Sequence, residues 1–469
     1  MQVILYNQGI TITESKGTSV LPRKRPVVQK VGEVPTEAPA AKNALTIMVV
    51  ISVLFLLLSA SYNYLTPAST ITQQDQHPRD GGAANPDEPA HVLYVASAAS
   101  GRLPVFSKTS ANYEAHQPPL YYILAATFYL ASPTSAQHSV EFEGRVHVVR
   151  WAATLLGLAL IWVTFFIAAD LLPDRRDIAA LAAAIVALIP MNISLSSSVS
   201  NDTATNLVFA LFLLILGRLI RNPAKKKYTF LLGVIVGIGI WTKSSTLILA
   251  PVLLIALGFA AWRNLLSYKE AWISAAASLG LGAIIGLPWL LRNRHLYGDL
   301  FAQGVVFRDL AARNVSPSSL IQALGPNWYL QHFFGWTFAS YWGVFDSMLL
   351  FLPQGVYVFL ALAALATIVA GLIVLKKKPQ SGANGVVLFM WAALVALTLI
   401  AYVQYNVHFF QVQGRYLYPA LIPLSALSAI GISALTPPSL KRWLPLILIS
   451  GLLVLNLLCL SIISGRYSA

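Results

Sequence analysis

The sequence predicts an all-α, polytopic transmembrane helical bundle of about eleven spans. Its composition is the first reason. The chain has 469 residues, of which 57% are hydrophobic and 11% are charged, whereas a soluble domain carries about 25% charged residues. This low charge content indicates that most of the surface faces lipid. The second reason is that apolar runs of about 20 residues, enough for a helix to cross a bilayer, recur along the chain.

The apolar runs define the predicted organisation. Residues 1–43 precede them and are polar and basic, so we expect a disordered cytosolic tail. A cleaved signal peptide is not expected, because the first apolar run begins too far from the N-terminus. Long polar segments at 66–147 and 292–353 are expected to be loops on the outer face. The predicted spans are 44–65, 148–171, 178–199, 204–220, 228–243, 246–262, 271–291, 354–375, 384–405, 415–435 and 443–464.

The basic residues predict the orientation. Each short loop that an eleven-span bundle with a cytosolic N-terminus would leave inside the cell carries lysine or arginine, as the positive-inside rule requires. Those loops are 173–177, 221–227, 263–270, 376–382 and 436–442. A further apolar stretch, 118–133, is only 16 residues long and opens with two prolines. Counting it as a span would break the charge pattern, so we predict a half-embedded interfacial helix.

Charge and cysteine content exclude other classes. The net charge of +14 follows from the basic cytosolic loops, so we expect membrane lipid and no nucleic acid as a partner. The single cysteine, Cys459, excludes an intrachain disulfide and a cysteine-based zinc site. The expected location is the inner (cytoplasmic) cell membrane.

The first long loop carries an acidic pair, Asp87 and Glu88, beside a proline. Acidic residues and proline both favour the first turn of a helix, so one interpretation is a helix start. The other is catalytic: a carboxylate at the membrane surface can act as a general base, taking the proton from an acceptor hydroxyl that attacks a sugar.

Several motifs resemble the GT-C superfamily of membrane glycosyltransferases, which includes protein O-mannosyltransferases and the lipid A aminoarabinose transferase. The resemblance covers about 44–435 and is greatest to an uncharacterised bacterial branch. The motifs are DEPAH at 87–91, HQPPLYY at 116–122, SVSND at 198–202, GIWTKSS at 239–245, WLLRNR at 289–294, YGD at 297–299 and QGRYLYP at 413–419.

This resemblance implies a catalytic Asp87, paired with Glu88, and two juxtamembrane helices in the first outer loop. It also implies a polyprenyl-phosphate sugar donor and inversion at the anomeric carbon. The expected organisation is a catalytic transmembrane module at 44–291, an outer loop at 292–353 and C-terminal transmembrane helices at 354–469.

Four basic residues are predicted at the outer ends of spans: Lys243, Arg292, Arg294 and Arg415. Cations there can bind the carrier phosphate by charge-assisted hydrogen bonds and stabilise its charge as it leaves. For Arg292 and Arg294, contact with lipid headgroups explains the charge equally well. We favour phosphate binding for Lys243 because it lies in a tight turn. For Arg415, beside Tyr416, the same role is favoured chiefly because the resemblance implies it.

The remaining candidates are substrate-binding residues with open alternatives. Asp202 is either a second acidic residue of the site or the N-cap of the following helix. His91 shares a helix face with Glu88, and with His116 they can bind a divalent cation, so metal dependence stays open. Gln117 completes the set, by its place in the motif at 116–122.

The sequence therefore predicts a glycosyltransferase that moves a sugar from a polyprenyl-phosphate carrier to a hydroxyl of a glycan, lipid or protein. A transporter or flippase of lipid-linked sugar is the alternative from another class. It is disfavoured because the candidates cluster at one membrane face and not at the midplane. A non-catalytic relative that binds lipid-linked sugar is a third hypothesis.

Overall fold

The computed structural model describes residues 39–68, 87–106, 113–132, 139–377 and 382–467. The predicted tail lies outside these ranges, except for residues 39–43, which begin the first helix. The described ranges contain seventeen α-helices, and the predicted all-α class is confirmed. They are α1 (Pro39–Leu65), α2 (Glu88–Ala99), α3 (Leu120–Ala131), α4 (Ser139–Leu171), α5 (Arg176–Leu188), α6 (Pro190–Ser196), α7 (Asp202–Arg221), α8 (Lys227–Ile240), α9 (Leu249–Trp262), α10 (Tyr268–Tyr297), α11 (Gln303–Arg313), α12 (Pro317–Leu324), α13 (Pro326–Trp342), α14 (Gln354–Lys377), α15 (Gly382–His408), α16 (Leu421–Leu435) and α17 (Leu444–Tyr467).

Nine helical segments of the described chain are long and apolar enough to cross a membrane, so the polytopic prediction is confirmed. The bundle is built around α5, in which every residue from Ile178 to Leu188 is buried. The nine segments are Ala44–Leu65, Gly144–Leu171, Asp202–Arg221, Ser244–Trp262, Tyr268–Tyr297, Gln354–Lys377, Gly382–His408, Gly414–Leu435 and Pro438–Tyr467.

The other two predicted spans differ from uninterrupted spanning helices. The one at 178–199 is two helices, α5 and α6, with a 65° bend between them. Pro190 causes the break because it has no N–H and disfavours a helical conformation at Ile189. The freed carbonyl of Val186 instead accepts a hydrogen bond from Asn192 Nδ2 at 2.8 Å.

The predicted span at 228–243 is the 14-residue helix α8. It ends at Ile240, because Trp241–Lys243 forms a turn and the chain continues as a 3-10 helix at Ser244–Ile248. Glycines let α8 approach α10 closely, as in other membrane helix pairs. A Cβ atom at Gly237 would lie 2.6 Å from Ile285. In the turn that carries Lys243, Trp241 Nε1 donates to the Ile285 carbonyl at 2.7 Å.

The predicted interfacial stretch contains the 12-residue helix α3, too short to be a candidate span. It packs against α2, and the stacked rings of Tyr94 and Tyr122 have centroids 3.8 Å apart. The Leu120 backbone N–H donates to the Trp241 carbonyl at 2.9 Å. The first loop is thereby joined to the turn after α8.

The segment at 292–353, predicted to be a loop, is largely helical. It contains the end of α10, then α11, α12 and α13, followed by a short antiparallel hairpin of β1 (Val344–Phe345) and β2 (Leu350–Phe351). None of α11, α12 and α13 is a candidate membrane span, and these short amphipathic or aromatic helices leave no long apolar run. A further 3-10 helix, Gly414–Ala420, precedes α16.

Candidate active site

Asp87 stands immediately before α2, at the N-cap position, but its side chain makes no capping hydrogen bond. Its backbone is left-handed, with φ of 68°. Such a conformation costs about 1–3 kcal/mol at a non-glycine residue and persists where the surroundings fix it. The side chain turns to Arg415 and Tyr113: Oδ2 accepts from Arg415 at 2.7 Å, and Oδ1 accepts from the Tyr113 hydroxyl at 3.1 Å.

Arg415 bridges two carboxylates. Its second terminal nitrogen donates to Asp202 Oδ2 at 3.0 Å, and its Nε donates to Gln413 Oε1 at 2.7 Å. Lys243 Nζ donates to the other oxygen of Asp202. We call Asp87, Asp202, Lys243 and Arg415 the ionic cluster. It joins residues that are more than 300 positions apart in the sequence.

The ionic cluster lines a cavity of about 600 Å³ between the first loop and the helix ends. The Asp87 side chain is 32% exposed toward it, whereas that of Arg415 is 6% exposed. The other residues predicted for the site that line the cavity are His91, His116, Gln117 and Tyr416. The structure thus gathers eight of the eleven predicted site residues around one cavity.

The surroundings of the cavity shift the pKa values of its titratable groups in different directions. Burial raises the pKa of Asp87, but the Arg415 guanidinium, together with His91 and the Tyr113 hydroxyl, outweighs burial and holds that pKa below its ordinary value. Burial raises the pKa of Glu114, and Asp87 adds to the effect. Burial also lowers the pKa of His116 to about 4. Asp87 is therefore ionised and His116 neutral at neutral pH.

Glu88 does not line the cavity, so the structure does not bring it together with the other predicted site residues. Its carboxylate makes two hydrogen bonds with Arg150, at 2.8 and 2.9 Å, and accepts the Val199 N–H at 2.8 Å. The side chains of Glu88 and Arg150 are 1% and 0% exposed. Arg150 also donates to the carbonyls of Asn63 and Thr66. We call Glu88 and Arg150 the buried pair, which fixes the start of α2.

Arg292 and Arg294 do not reach the cavity either, so they do not meet the expected phosphate position. Arg292 donates to the Pro104 carbonyl at 2.8 Å and lies over the Trp289 ring at 4.9 Å. Arg294 is exposed and donates to the Gly298 carbonyl at the end of α10. Both side chains interact with nearby backbone.

The predicted cation-binding set of Glu88, His91 and His116 is not brought together. Glu88 faces Arg150, while His91 Nδ1 lies 2.7 Å from the Tyr122 hydroxyl and His116 Nδ1 lies 2.9 Å from the Tyr113 carbonyl. Over the described ranges, no group of three or more His, Cys, Asp or Glu side chains has the geometry of a metal site.

Asp87 and Asp202 were each open to a second interpretation, as a residue at the start of a helix. Asp87 does stand at a helix start, as one interpretation held, but without capping the helix. Asp202 is the first residue of α7, and the N-cap residue is Asn201. Asn201 Nδ2 instead donates to Gln117 Oε1 at 3.3 Å. Both acids therefore serve the ionic cluster.

Sequence reasoning missed several residues of the cavity and of the buried pair. Glu114 and Tyr113 line the cavity but lie just before the motif at 116–122. Arg150 lies inside a long apolar helix, and a charge in such a segment is a signal for a functional or paired residue. Asn206 and Thr398 also line the cavity, but neutral polar residues within spans give no comparable signal.

Comparison with solved structures finds the same fold in two glycosyltransferases. The oligosaccharyltransferase of Archaeoglobus fulgidus in the apo form aligns with a TM-score of 0.52 at 13% identity, over 91% of this chain and 56% of that chain. The same enzyme, AglB, in complex with an inhibitory peptide and a dolichol-phosphate gives a TM-score of 0.53 at 13% identity, over 91% and 56%.

ArnT from Cupriavidus metallidurans in the apo state aligns with a TM-score of 0.50 at 16% identity, over 87% of this chain and 62% of that chain. In these three alignments the chain spans 56% to 62% of the other chain's length, and at these identities the likeness shows a GT-C-like fold. No functionally curated protein matches the sequence. A family model matches residues 96–424, and the chain therefore belongs to the DUF2142 family of predicted membrane proteins.

Proposed function

We propose that this protein is a membrane glycosyltransferase that moves a sugar from a polyprenyl-phosphate carrier to an acceptor hydroxyl, with inversion. The observation that carries the proposal is the ionic cluster: an ionised, partly exposed carboxylate and two cations on one cavity. The GT-C-like fold supports it, as does the dolichol-phosphate complex of the fold neighbour AglB.

Asp87 is the proposed general base. The acceptor hydroxyl oxygen attacks the anomeric carbon, its proton passes to an Asp87 oxygen, and the bond from the anomeric carbon to the phosphate oxygen breaks. The carrier phosphate leaves with the electron pair of that bond. A positioned base contributes about 10²- to 10⁴-fold to such a reaction. The strained backbone and the Arg415 contact hold the carboxylate toward the cavity.

Arg415 and Lys243 are proposed to bind the carrier phosphate. A guanidinium has five N–H donors and an ammonium has three. The hydrogen bonds within the described ranges use three donors of Arg415 and one of Lys243. Donors therefore remain for phosphate oxygens while both carboxylates stay paired. These cations can stabilise the charge that develops on the leaving phosphate.

The proposed active site lies at the outer face of the inner membrane, with the N-terminus cytosolic, because the short basic loops then lie inside. The acceptor is a hydroxyl of a glycan, lipid or protein. The buried pair is proposed to position Asp87 without reaching the cavity, because the ion pair with Arg150 holds Glu88, the residue next to Asp87.

The test is transfer by the purified full-length protein, with a panel of radiolabelled polyprenyl-phosphate sugars as donors and membrane extract as acceptor. We expect label to move with wild type and not with Asp87→Asn. Donor binding without transfer by wild type would indicate a non-catalytic relative. If wild type neither transfers the label nor binds a donor, the proposal is contradicted and the transporter hypothesis is favoured.

A further inference from the structure

Three side chains on the cavity wall have a buried polar atom without a hydrogen-bond partner in the described part of the protein: acidic Glu114 and the neutral residues Asn206 and Thr398. Asn206 Nδ2 belongs to a residue that is 6% exposed, and Thr398 Oγ1 to one that is 3% exposed. Both residues line the cavity of the ionic cluster. Buried polar groups in native proteins are nearly always hydrogen-bonded, so each exception calls for an explanation.

Asn206 and Thr398 extend the cavity away from the first loop. Asn206 follows Asp202 by four residues on α7, which puts both on one helix face about 6 Å apart along the axis. Thr398 lies on α15, where Ala401, Tyr402 and Tyr405 line the same cavity. Both α7 and α15 are candidate membrane spans, so this end of the cavity lies between two apolar helices.

The two ends of the cavity differ in chemistry. The end formed by the first loop carries the carboxylates of Asp87 and Glu114. The lining also includes the neutral polar residues Asn206 and Thr398 and the apolar residues Leu247 and Ile248. Ionised phosphoryl oxygens only accept hydrogen bonds, so neutral N–H and O–H groups can donate to them. The neighbouring Asp202 carboxylate is already paired with Lys243 and Arg415.

We infer that Asn206 and Thr398 form an accessory subsite that donates hydrogen bonds to the phosphoryl oxygens of the lipid carrier. The inference rests on the proposed function and adds two neutral donors to the charged ones of Lys243 and Arg415. The adjoining apolar side chains contact the first part of the prenyl chain, and the sugar extends toward the carboxylates. The subsite thus sets the direction in which the donor lies.

Thr398→Val and Asn206→Leu test the subsite in the full-length protein in lipid nanodiscs, with undecaprenyl phosphate as the probe. A hydrogen bond to a charged group is worth about tenfold in affinity, so each variant should bind about tenfold more weakly. Because each substitution removes an unpartnered buried polar group, the apparent melting temperature without ligand should stay equal or rise. A purely structural role would lower it.

Trp391→Phe on α15 is the matched control. It removes another buried N–H that lacks a partner within the described ranges but does not line the cavity, so affinity should be unchanged. Inorganic phosphate, added as a competitor, separates a lipid headgroup from a free anion: it should compete weakly, because it lacks the prenyl chain.

The outcomes separate the inference from the function on which it rests. Wild type that fails to bind undecaprenyl phosphate would overturn both. Wild type that binds, with both variants at wild-type affinity, would overturn only the subsite. Loss of affinity confined to sugar-linked carriers would also overturn it, because the two side chains would then contact the sugar. Strong binding of inorganic phosphate with no gain from the lipid would overturn the assignment to a lipid carrier.

Discussion

Asp87 and Glu88 are neighbours in the sequence, yet their carboxylates join two different ion-pair networks. The ionic cluster leaves Asp87 32% exposed on a cavity. The buried pair leaves Glu88 and Arg150 at most 1% exposed, and Glu88 also accepts a backbone N–H. Opposite charges meet in both networks, but only the first faces space that a ligand can enter.

This difference shows that two adjacent acidic residues, Asp87 and Glu88, can have separate roles. The buried pair has its charges satisfied within the protein, so its contribution is to hold the start of α2 against α1 and α4. With that start fixed, Asp87 is held in a left-handed conformation and its carboxylate meets Arg415. One residue supplies position, and the residue before it supplies the proposed chemistry.

Asp87→Asn should have the largest effect on activity and a small effect on stability. Asparagine accepts the left-handed conformation as readily as aspartate, but a neutral amide cannot take a proton from the acceptor. We expect turnover to fall by about 10²- to 10⁴-fold with donor affinity largely kept, as measured by labelled transfer and by donor binding. A comparable fall for a well-folded Glu88→Gln protein would remove the distinction between the two residues.

Arg150→Met should chiefly reduce stability. It leaves the Glu88 carboxylate buried without its partner, which costs about 3–5 kcal/mol. Thermal unfolding in detergent should therefore show a clear drop in the melting temperature. The double variant Glu88→Leu/Arg150→Met should recover part of that loss, because no isolated charge remains. A single variant as stable as wild type would contradict the structural role of the buried pair.

Gly414→Ala should displace Arg415 from both carboxylates. A Cβ atom at this position would lie 2.3 Å from the Tyr341 backbone nitrogen, and the Gly414 N–H donates to Ser340 Oγ at 2.7 Å. Overpacking of this kind costs about 1–3 kcal/mol. We expect a raised KM for the donor. Gly335→Ala is the control: Gly335 is exposed on α13 and a Cβ there would meet nothing within 4 Å, so the KM should not change.

Tyr113→Phe should have the smallest effect, visible in the pH profile. The Tyr113 hydroxyl helps to lower the pKa of Asp87, so its loss should move the acid limb of kcat/KM to higher pH. Because the pKa of Asp87 is lower in the folded protein than in the unfolded chain, the ionised carboxylate stabilises the fold. This stabilisation is fully present above the ordinary aspartate pKa of about 3.9 and is lost as pH falls through the lower folded-state value. An unmoved acid limb would indicate another base.

The sequence predicted the helical class because composition and apolar length reflect contact with lipid along whole helices. It predicted the spans at 178–199 and 228–243 less well. Apolarity does not reveal that Pro190 bends one of them or that the other ends at Ile240 to form the Lys243 turn. Such breaks depend on local hydrogen bonding and on contacts between helices.

For the site, motifs predicted Asp87, Lys243 and Arg415 but did not separate them from Glu88, Arg292 and Arg294. The separation depends on which way each side chain turns. Glu88 is drawn away from the cavity by Arg150, which lies 62 residues later in the chain. Arg292 is drawn away by the Pro104 carbonyl. These are tertiary contacts that one sequence does not encode in any local pattern.

The most direct test is single-turnover transfer, with donor affinity measured on the same preparations of wild type and Asp87→Asn. If Asp87 is the base and the two cations bind the phosphate, both proteins bind the polyprenyl-phosphate sugar with similar affinity, and Asp87→Asn transfers the sugar about 10²- to 10⁴-fold more slowly than wild type. Transfer by Asp87→Asn at the wild-type rate would contradict the account.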